Sequence, residues 1–301
     1  MDKLDFKKYY QDDAAKLQEA AIKAIREDAD VSSYIREKLK LTGRQVKENL
    51  AVLIDFQDDF NYCKNCPGFD ECDKAQPHYK MSLSIDGPFV KREFCICDVA
   101  KDIQMRKAKF LHCDYPEEWG EVLLTSVDIS KERGTVIRSL VNASKGESHR
   151  WLYLTGEPKS GKSYLLAAMT NSYAIHHFPV AYFDCSNFIE TLKYLAFSKE
   201  KSAKEALNKA ISNYSRCPLL VLDGFGNEFK SEYVFSSLLY PILSARSNSN
   251  LLTCFASDFT IEEVVGEYKT KIGALRAKQF LGLMQKMTNG EIIVPPNIGL
   301  Y

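Results

Sequence analysis

Apolar positions recur at helical spacing from residue 4 to 54: Leu4, Leu17, Ala21, Ile22 and Ile25, then Ile35, Leu39, Val46, Leu50 and Leu53, with charged residues between them. This pattern predicts a small helical element. From 61 to 98 the chain turns to Cys, Pro, Gly and short runs, of which Met81–Ile85 and Phe89–Phe94 predict strands. A polar stretch without a period, carrying Pro116 and Gly120, follows, and we expect a linker over 106–120. Beyond it, apolar runs at Trp151–Thr155, Val180–Phe183, Leu219–Leu222 and Leu251–Phe255 alternate with helical stretches at 163–177, 186–214, 231–247, 260–266 and 272–288. Such alternation predicts an α/β domain with a parallel sheet flanked by helices. The expected organisation is a helical, cysteine-bearing domain over 1–105, the linker, and the α/β domain over 121–301.

Composition agrees with two domains, since 301 residues divide at roughly 150 per domain. Forty basic side chains balance forty acidic ones, so the molecule lacks the charge of a nucleic-acid coat or a membrane-surface protein, and any polyanion site must be local. The N-terminal MDKLDFKKYYQDD has no apolar core, and no run approaches the ~18 continuous apolar residues of a membrane span. We expect a cytoplasmic protein without a membrane partner. Of nine cysteines, six (Cys63, Cys66, Cys72, Cys95, Cys97, Cys113) crowd one stretch, while Cys185, Cys217 and Cys254 sit in or beside apolar runs as small hydrophobes. In a reducing compartment such clustering points to metal rather than to disulfides.

The most specific chemical signal is Gly156-Glu157-Pro158-Lys159-Ser160-Gly161-Lys162-Ser163, a phosphate-binding loop set directly between a predicted strand and a predicted helix. Its glycines let the backbone wrap a phosphate, and the following helix N-terminus directs N–H donors and partial positive charge at it. Lys162 is expected on the β- and γ-phosphates and Ser163 on Mg²⁺. An acid at the end of a buried strand is needed for the magnesium shell, and Leu219-Leu-Val-Leu-Asp223 supplies one. Gly224 follows where many such ATPases carry a second acid. Glu228 stands as the substitute candidate, weighed against a plain surface-loop glutamate.

Cys63-x-x-Cys66 followed by Cys72, His78, Cys95 and Cys97 offers six candidate ligands where tetrahedral zinc takes four. With no water-activating glutamate on a nearby helix, the expected role is structural. Spacing does not choose which four bind.

The helical N-terminus, the cysteine module, Gly156–Ser163 and Leu219–Asp223 together resemble bacterial replicative helicase loaders of the DnaI type, whose ATPase half is similar to DnaC-like AAA+ proteins. Leu222-Asp223-Gly224-Phe225-Gly226-Asn227-Glu228 looks like that family's Leu-Asp-Asp-Ile-Gly-Ala-Glu. The resemblance implies an AAA+ P-loop domain preceded by a helical zinc module. It maps the zinc ligands onto Cys63, Cys66, His78 and Cys97 with Cys72 in reserve. ATP or ADP and Mg²⁺ are the implied cofactors, with Ser163 and Asp223 at the metal. The implied partner is the hexameric DnaB-type replicative helicase, docked through the N-terminal domain during primosome assembly and placed on single-stranded DNA, with self-assembly of the loader on the helicase ring.

Departures from the family pattern bear on hydrolysis. Ala256-Ser257-Asp258 stands where a Thr-Ser-Asn sensor reads the γ-phosphate, so that a carboxylate, Asp258, replaces an amide. Two family arginines in the C-terminal helix match Gln279 and Leu283, which leaves Arg276 and Lys278 as the nearby cations able to serve as finger or sensor; Arg246 is a weaker candidate, set against a solvated helix-end charge. Binding is therefore expected to survive better than turnover. Lys193, Tyr194, Phe197, Lys199 and Lys201 form the candidate single-strand contact, against a core-facing helix as the bland reading. Two rival functions are a non-hydrolysing nucleotide-binding adaptor that only tethers the helicase, and a small-molecule P-loop kinase. The kinase is disfavoured because only Arg216, Arg246 and Arg276 follow residue 150.

Overall fold

The computed structural model describes residues 6–127, 133–146, 149–176 and 178–296, and it divides into two compact units, Met1–Ile103 and Gln104–Tyr301. Leu4 and His177, at the ends of two predicted helical stretches, lie outside the described residues. Among the described residues no helix is long and apolar enough to cross a membrane.

In the first unit, helices α1 (Phe6–Glu27), α2 (Ala29–Ser33), α3 (Gly43–Glu48) and α4 (Leu50–Lys64) precede a hairpin of β1 (Tyr79–Asp86) and β2 (Phe89–Ile96); the helix α5 (Asp98–Lys107) starts in this unit and ends beyond its last residue, Ile103. Local chemistry breaks the helical pattern into pieces. Asp28 accepts the Val31 N–H at 3.1 Å at the start of α2, and Thr42 and Gln45 form a reciprocal cap on α3. Ile25, Val31, Ile35, Leu39, Leu53 and Phe56 from the helices meet Leu83 and Val90 from the hairpin in one small core. Asn49 locks hairpin to helices, donating to Pro88 O at 3.2 Å and accepting from Val90 N at 2.9 Å.

The second unit is a six-stranded parallel sheet in the order β3-β5-β6-β7-β4-β8, built from β3 (Phe110–Cys113), β4 (Trp151–Thr155), β5 (Val180–Asp184), β6 (Leu219–Asp223), β7 (Leu252–Ser257) and β8 (Thr288–Ile293). Strands β4 to β7 are almost wholly buried because helices cover both faces. On one face α6 (Gly134–Ser144) and α7 (Lys162–Ala174) bring Leu140, Leu165 and Leu166 against Leu154 and Val221. On the other, α8 (Cys185–Phe197), α9 (Lys201–Arg216), α10 (Tyr240–Asn248), α11 (Ile261–Ile272) and α12 (Ala274–Met287) pack Phe188, Tyr214, Leu243, Tyr268 and Phe280 against Tyr153, Leu220 and Phe255.

Three expectations change. Residues 106–120 are not a free linker: they hold the end of α5, the edge strand β3 and the turn Glu117–Trp119. The strand β8, sequence TNGEII, escapes the apolar pattern because its polar residues carry no apolar run. The single helix expected over 186–214 is interrupted where Ser198 turns to extended backbone and its hydroxyl accepts the Glu200 N–H at 3.3 Å, an alternative to helical bonding.

Arg246 is fully buried, contrary to its reading as a solvated charge. Its guanidinium donates to Thr253 Oγ1 at 2.9 Å, Tyr214 O at 2.8 Å, Cys217 O at 2.7 Å and Leu252 O, so it satisfies the carbonyls at the entry of β6 and β7. Arg246→Met is expected to lower unfolding stability by about 3 kcal/mol in denaturant titration, since those buried carbonyls lose their donor.

Candidate functional site

Strand order doubles back around β4, which lies between β7 and β8 while the chain's next two strands lie beyond β7. Ligand crevices in open parallel sheets form at the carboxyl ends of strands at such a point. Here a cavity of about 380 Å³ opens, lined by the loop from Pro158 to Ser163, by Asp223 and Gly224 after β6, and by Ala256–Asp258 after β7.

The loop's shape follows from its glycines. Gly156 sits at φ 145°, and a Cβ there would lie 2.6 Å from Val294 O. Gly161, at φ 90°, turns the chain into α7. Between them Lys159 takes a left-handed φ of 63°. Lys162 is buried, and its ammonium donates to Gly156 O and Glu157 O at 2.8 Å each and pairs with Asp258 Oδ1 at 2.8 Å. Glu157 therefore contributes through its carbonyl, and Ser160, also buried, lies 3.4 Å from the ammonium through its hydroxyl.

Ser163 Oγ donates to Asp223 Oδ1 at 3.0 Å, and Tyr182 OH donates to Asp223 Oδ2 at 2.8 Å. Burial pushes the Asp223 carboxyl above its usual range, against the pull of these bonds and of the Gly224 N–H; the neighbouring Asp184 charge adds to the rise. A hydroxyl and a carboxylate converging on one point beside a phosphate loop suit a divalent cation held with phosphate oxygens.

Other candidates separate from this group. Glu228 is neither a loop-surface residue nor part of the cavity wall: it is 2 % exposed, accepts from Gly226 N at 2.6 Å and from Tyr268 OH at 2.7 Å, and so anchors the turn after β6 to α11. Arg276 lies on α12 outside the cavity lining, bonded to Glu232 at 2.7 Å and Ser236 at 3.0 Å. No arginine lines the cavity among the described residues.

The zinc expectation is not met. Among the described residues no three His, Cys, Asp or Glu side chains gather as a metal site. Cys97 N does donate to His78 O at 2.8 Å, which draws two of the predicted ligands together along the backbone. But the His78 ring stacks on Phe69 at 3.8 Å, Cys66 is exposed, and Cys72 remains half-buried without joining the others. Beside Cys63 stands the Lys74 ammonium, 3.3 Å from the sulfur and 2.5 Å from Asp59.

Three residues escape the sequence reading. Arg133 is buried and donates to Ser160 O at 2.6 Å and Pro295 O at 3.1 Å, bracing the loop from behind. Trp119, within the expected linker, lines the cavity with Tyr164, their rings edge-on at 5.6 Å. One signal points to it: Trp119 is one of two tryptophans in the chain and sits in an otherwise polar stretch.

No protein-family model matches this chain. The replicative helicase loader DnaI of Bacillus subtilis (strain 168) is 23 % identical over 252 residues, which cover 80 % of this chain and 78 % of that protein. The chain is similar to a DnaI-type helicase loader over most of its length. A crystal structure of DnaI superposes with a TM-score of 0.51 at 24 % identity, over 64 % of this chain and 97 % of that one. A putative primosome component from Streptococcus pyogenes serotype M3 gives 0.50 at 20 % identity, over 64 % and 96 %. These two solved structures share the α/β fold, a parallel sheet flanked by helices. The DnaI match is longer than the second unit, Gln104–Tyr301, so it runs into the first unit as well.

Glu228→Leu is expected to lower the melting temperature, because the buried Gly226 N–H and the Tyr268 hydroxyl both lose their acceptor, at a cost of roughly 1–3 kcal/mol. Phosphate-ligand affinity measured by calorimetry should stay as in the parent protein, since Glu228 stands outside the cavity.

Proposed function

We propose that the chain is a nucleotide-controlled loader of a hexameric replicative helicase. The observation that carries the nucleotide half is the convergence of Lys162, Ser163 and Asp223 on one cavity. When bound, Mg²⁺ would be held by Ser163 and Asp223, and ATP or ADP would take the loop from Gly156 to Ser163 with its terminal phosphates on Lys162. The helicase half rests on the relation to DnaI, which reaches into both units. On this reading the first unit docks on the helicase, the AAA+ second unit opens or assembles the ring for transfer to single-stranded DNA in replication, and copies of the loader gather on the ring. Zinc has no part in the reading.

One set of observations favours weak hydrolysis, and with it the adaptor form of the function. Gly224 offers no acid, Glu228 is committed to Tyr268, and Arg276 is committed to Glu232. Turnover would draw its arginine from another chain, since none lines the cavity among the described residues.

A surface suited to single-stranded DNA supports the last step. Helix α8 buries Phe188, Ile189 and Leu192 but leaves Tyr194 73 % and Phe197 68 % exposed. Phe197 packs on Tyr233 at 5.1 Å, and Lys193 lies over the exposed Phe229 ring at 4.4 Å. The bland core-facing reading thus holds for one face of the helix only. Exposed rings beside lysines stack bases and hold phosphates without regard to sequence.

The reading is tested by purifying the full-length chain from its own cells with ATP or with ADP. The replicative helicase should co-purify in at least one state and be lost from Lys162→Ala in that state; its absence from both states sinks the loader reading. For the DNA step, Tyr194→Ala with Phe197→Ala should weaken binding of a fluorescent oligothymidylate at least tenfold, from stacking worth about 1–3 kcal/mol per base, with nucleotide affinity unchanged. An unchanged oligonucleotide affinity removes α8 from the DNA path.

A further inference from the structure

A lysine ammonium has three N–H donors, and Lys162 donates to Gly156 O and Glu157 O at 2.8 Å each and to Ser160 Oγ at 3.4 Å, while Asp258 Oδ1 stands 2.8 Å away as its ion-pair partner. A phosphate oxygen therefore reaches this ammonium only by displacing one of them. The two carbonyls belong to the loop that shapes the cavity. Asp258 is the partner with freedom to leave: it follows β7 at the cavity rim, its side chain is 36 % exposed, and Lys162 is its charge partner. Once displaced it remains a carboxylate on the cavity wall. Asp223 is a second carboxylate on the same wall, held by Ser163 and Tyr182. With Lys159, Lys162 and a bound Mg²⁺ as the cations, these two acids offset part of the positive charge before any phosphate enters.

From this arrangement, and resting on the nucleotide reading above, we infer that Asp258 makes the site discriminate against the γ-phosphate, so that the nucleoside diphosphate is its tighter ligand. The β-phosphate shares Lys162 with the γ-phosphate but also has the N–H donors of the loop and of the start of α7, which remain to it even where the Lys162–Asp258 pair stays closed. The γ-phosphate brings additional negative charge to the Asp258 side of Lys162 and must break that pair. Tight binding of the triphosphate then depends on something that supplies positive charge opposite Asp258. An arginine from a neighbouring molecule in an assembly fits that need, since no arginine of this chain lines the cavity among the described residues.

The test is equilibrium binding of MgADP, MgATP and a magnesium-bound non-hydrolysable triphosphate to the full-length protein, by calorimetry, in parent and Asp258→Asn forms. The parent should hold MgADP at least tenfold more tightly than either triphosphate, about 1.4 kcal/mol. Asp258→Asn should narrow that ratio at least fivefold, chiefly through tighter triphosphate binding. A parent ratio near one overturns the inference without reference to any variant. A ratio unchanged in Asp258→Asn, with both ligands still bound, overturns Asp258 as its cause. If the parent binds neither nucleotide, the nucleotide reading fails as well, an outcome distinct from both. Should Asp258→Asn bind nothing, Asp258→Ser takes its place and the same ratio is read.

Discussion

The carboxylate of Asp223 sets the terms for the rest of the second unit. A charge at the end of a buried strand loses water on folding, and the protein recovers the cost by aiming donors at it from three elements: Ser163 from α7, Tyr182 from β5 and the N–H of Gly224 from the following turn. Each donor is in reach only if β4, β5 and β6 hold their order and the loop holds its turn. The phosphate loop and the strand that carries the acid are thus positioned by one hydrogen-bonded group, and a ligand that takes over those donors would act on both at once.

Buried charge recurs through the molecule with a different resolution each time. Arg246 is committed to carbonyls, Glu228 to a phenol and an N–H, and Arg133 to the loop's own backbone. Lys162 alone among these is paired with a partly exposed residue at the cavity rim. The first three are fixed by burial and act as struts. The fourth can change partners, and the chemistry of the site turns on that difference.

What is legible in the sequence is whatever is local. Gly156–Ser163 and Leu219–Asp223 declare themselves because loop, strand and helix start are adjacent in the chain, and the four buried strands because helices on both faces make them continuous apolar runs. The edge strands β3 and β8 are hidden, since an edge needs little apolar content. Glu228 reads as a loop residue because its partner Tyr268 is forty positions away. Arg246 reads as solvated because nothing nearby in sequence tells that β6 and β7 enter the sheet against it. The cysteine spacing suggests a metal quartet, but which side chains meet depends on where Lys74 and Phe69 go, and no spacing rule contains them.

The placement of β4 has a kinetic side. This strand carries the phosphate loop, yet both of its sheet neighbours come from far along the chain: Leu152 pairs with Cys254 and Trp151 with Thr288. Until about a hundred further residues have been made and have found their place, β4 has no partner on either edge, and its largely apolar sequence stands open. The segment that carries the phosphate-loop motif is therefore among the last to be secured during synthesis, and in a nascent chain such an open apolar strand is exposed to pairing with the wrong strand.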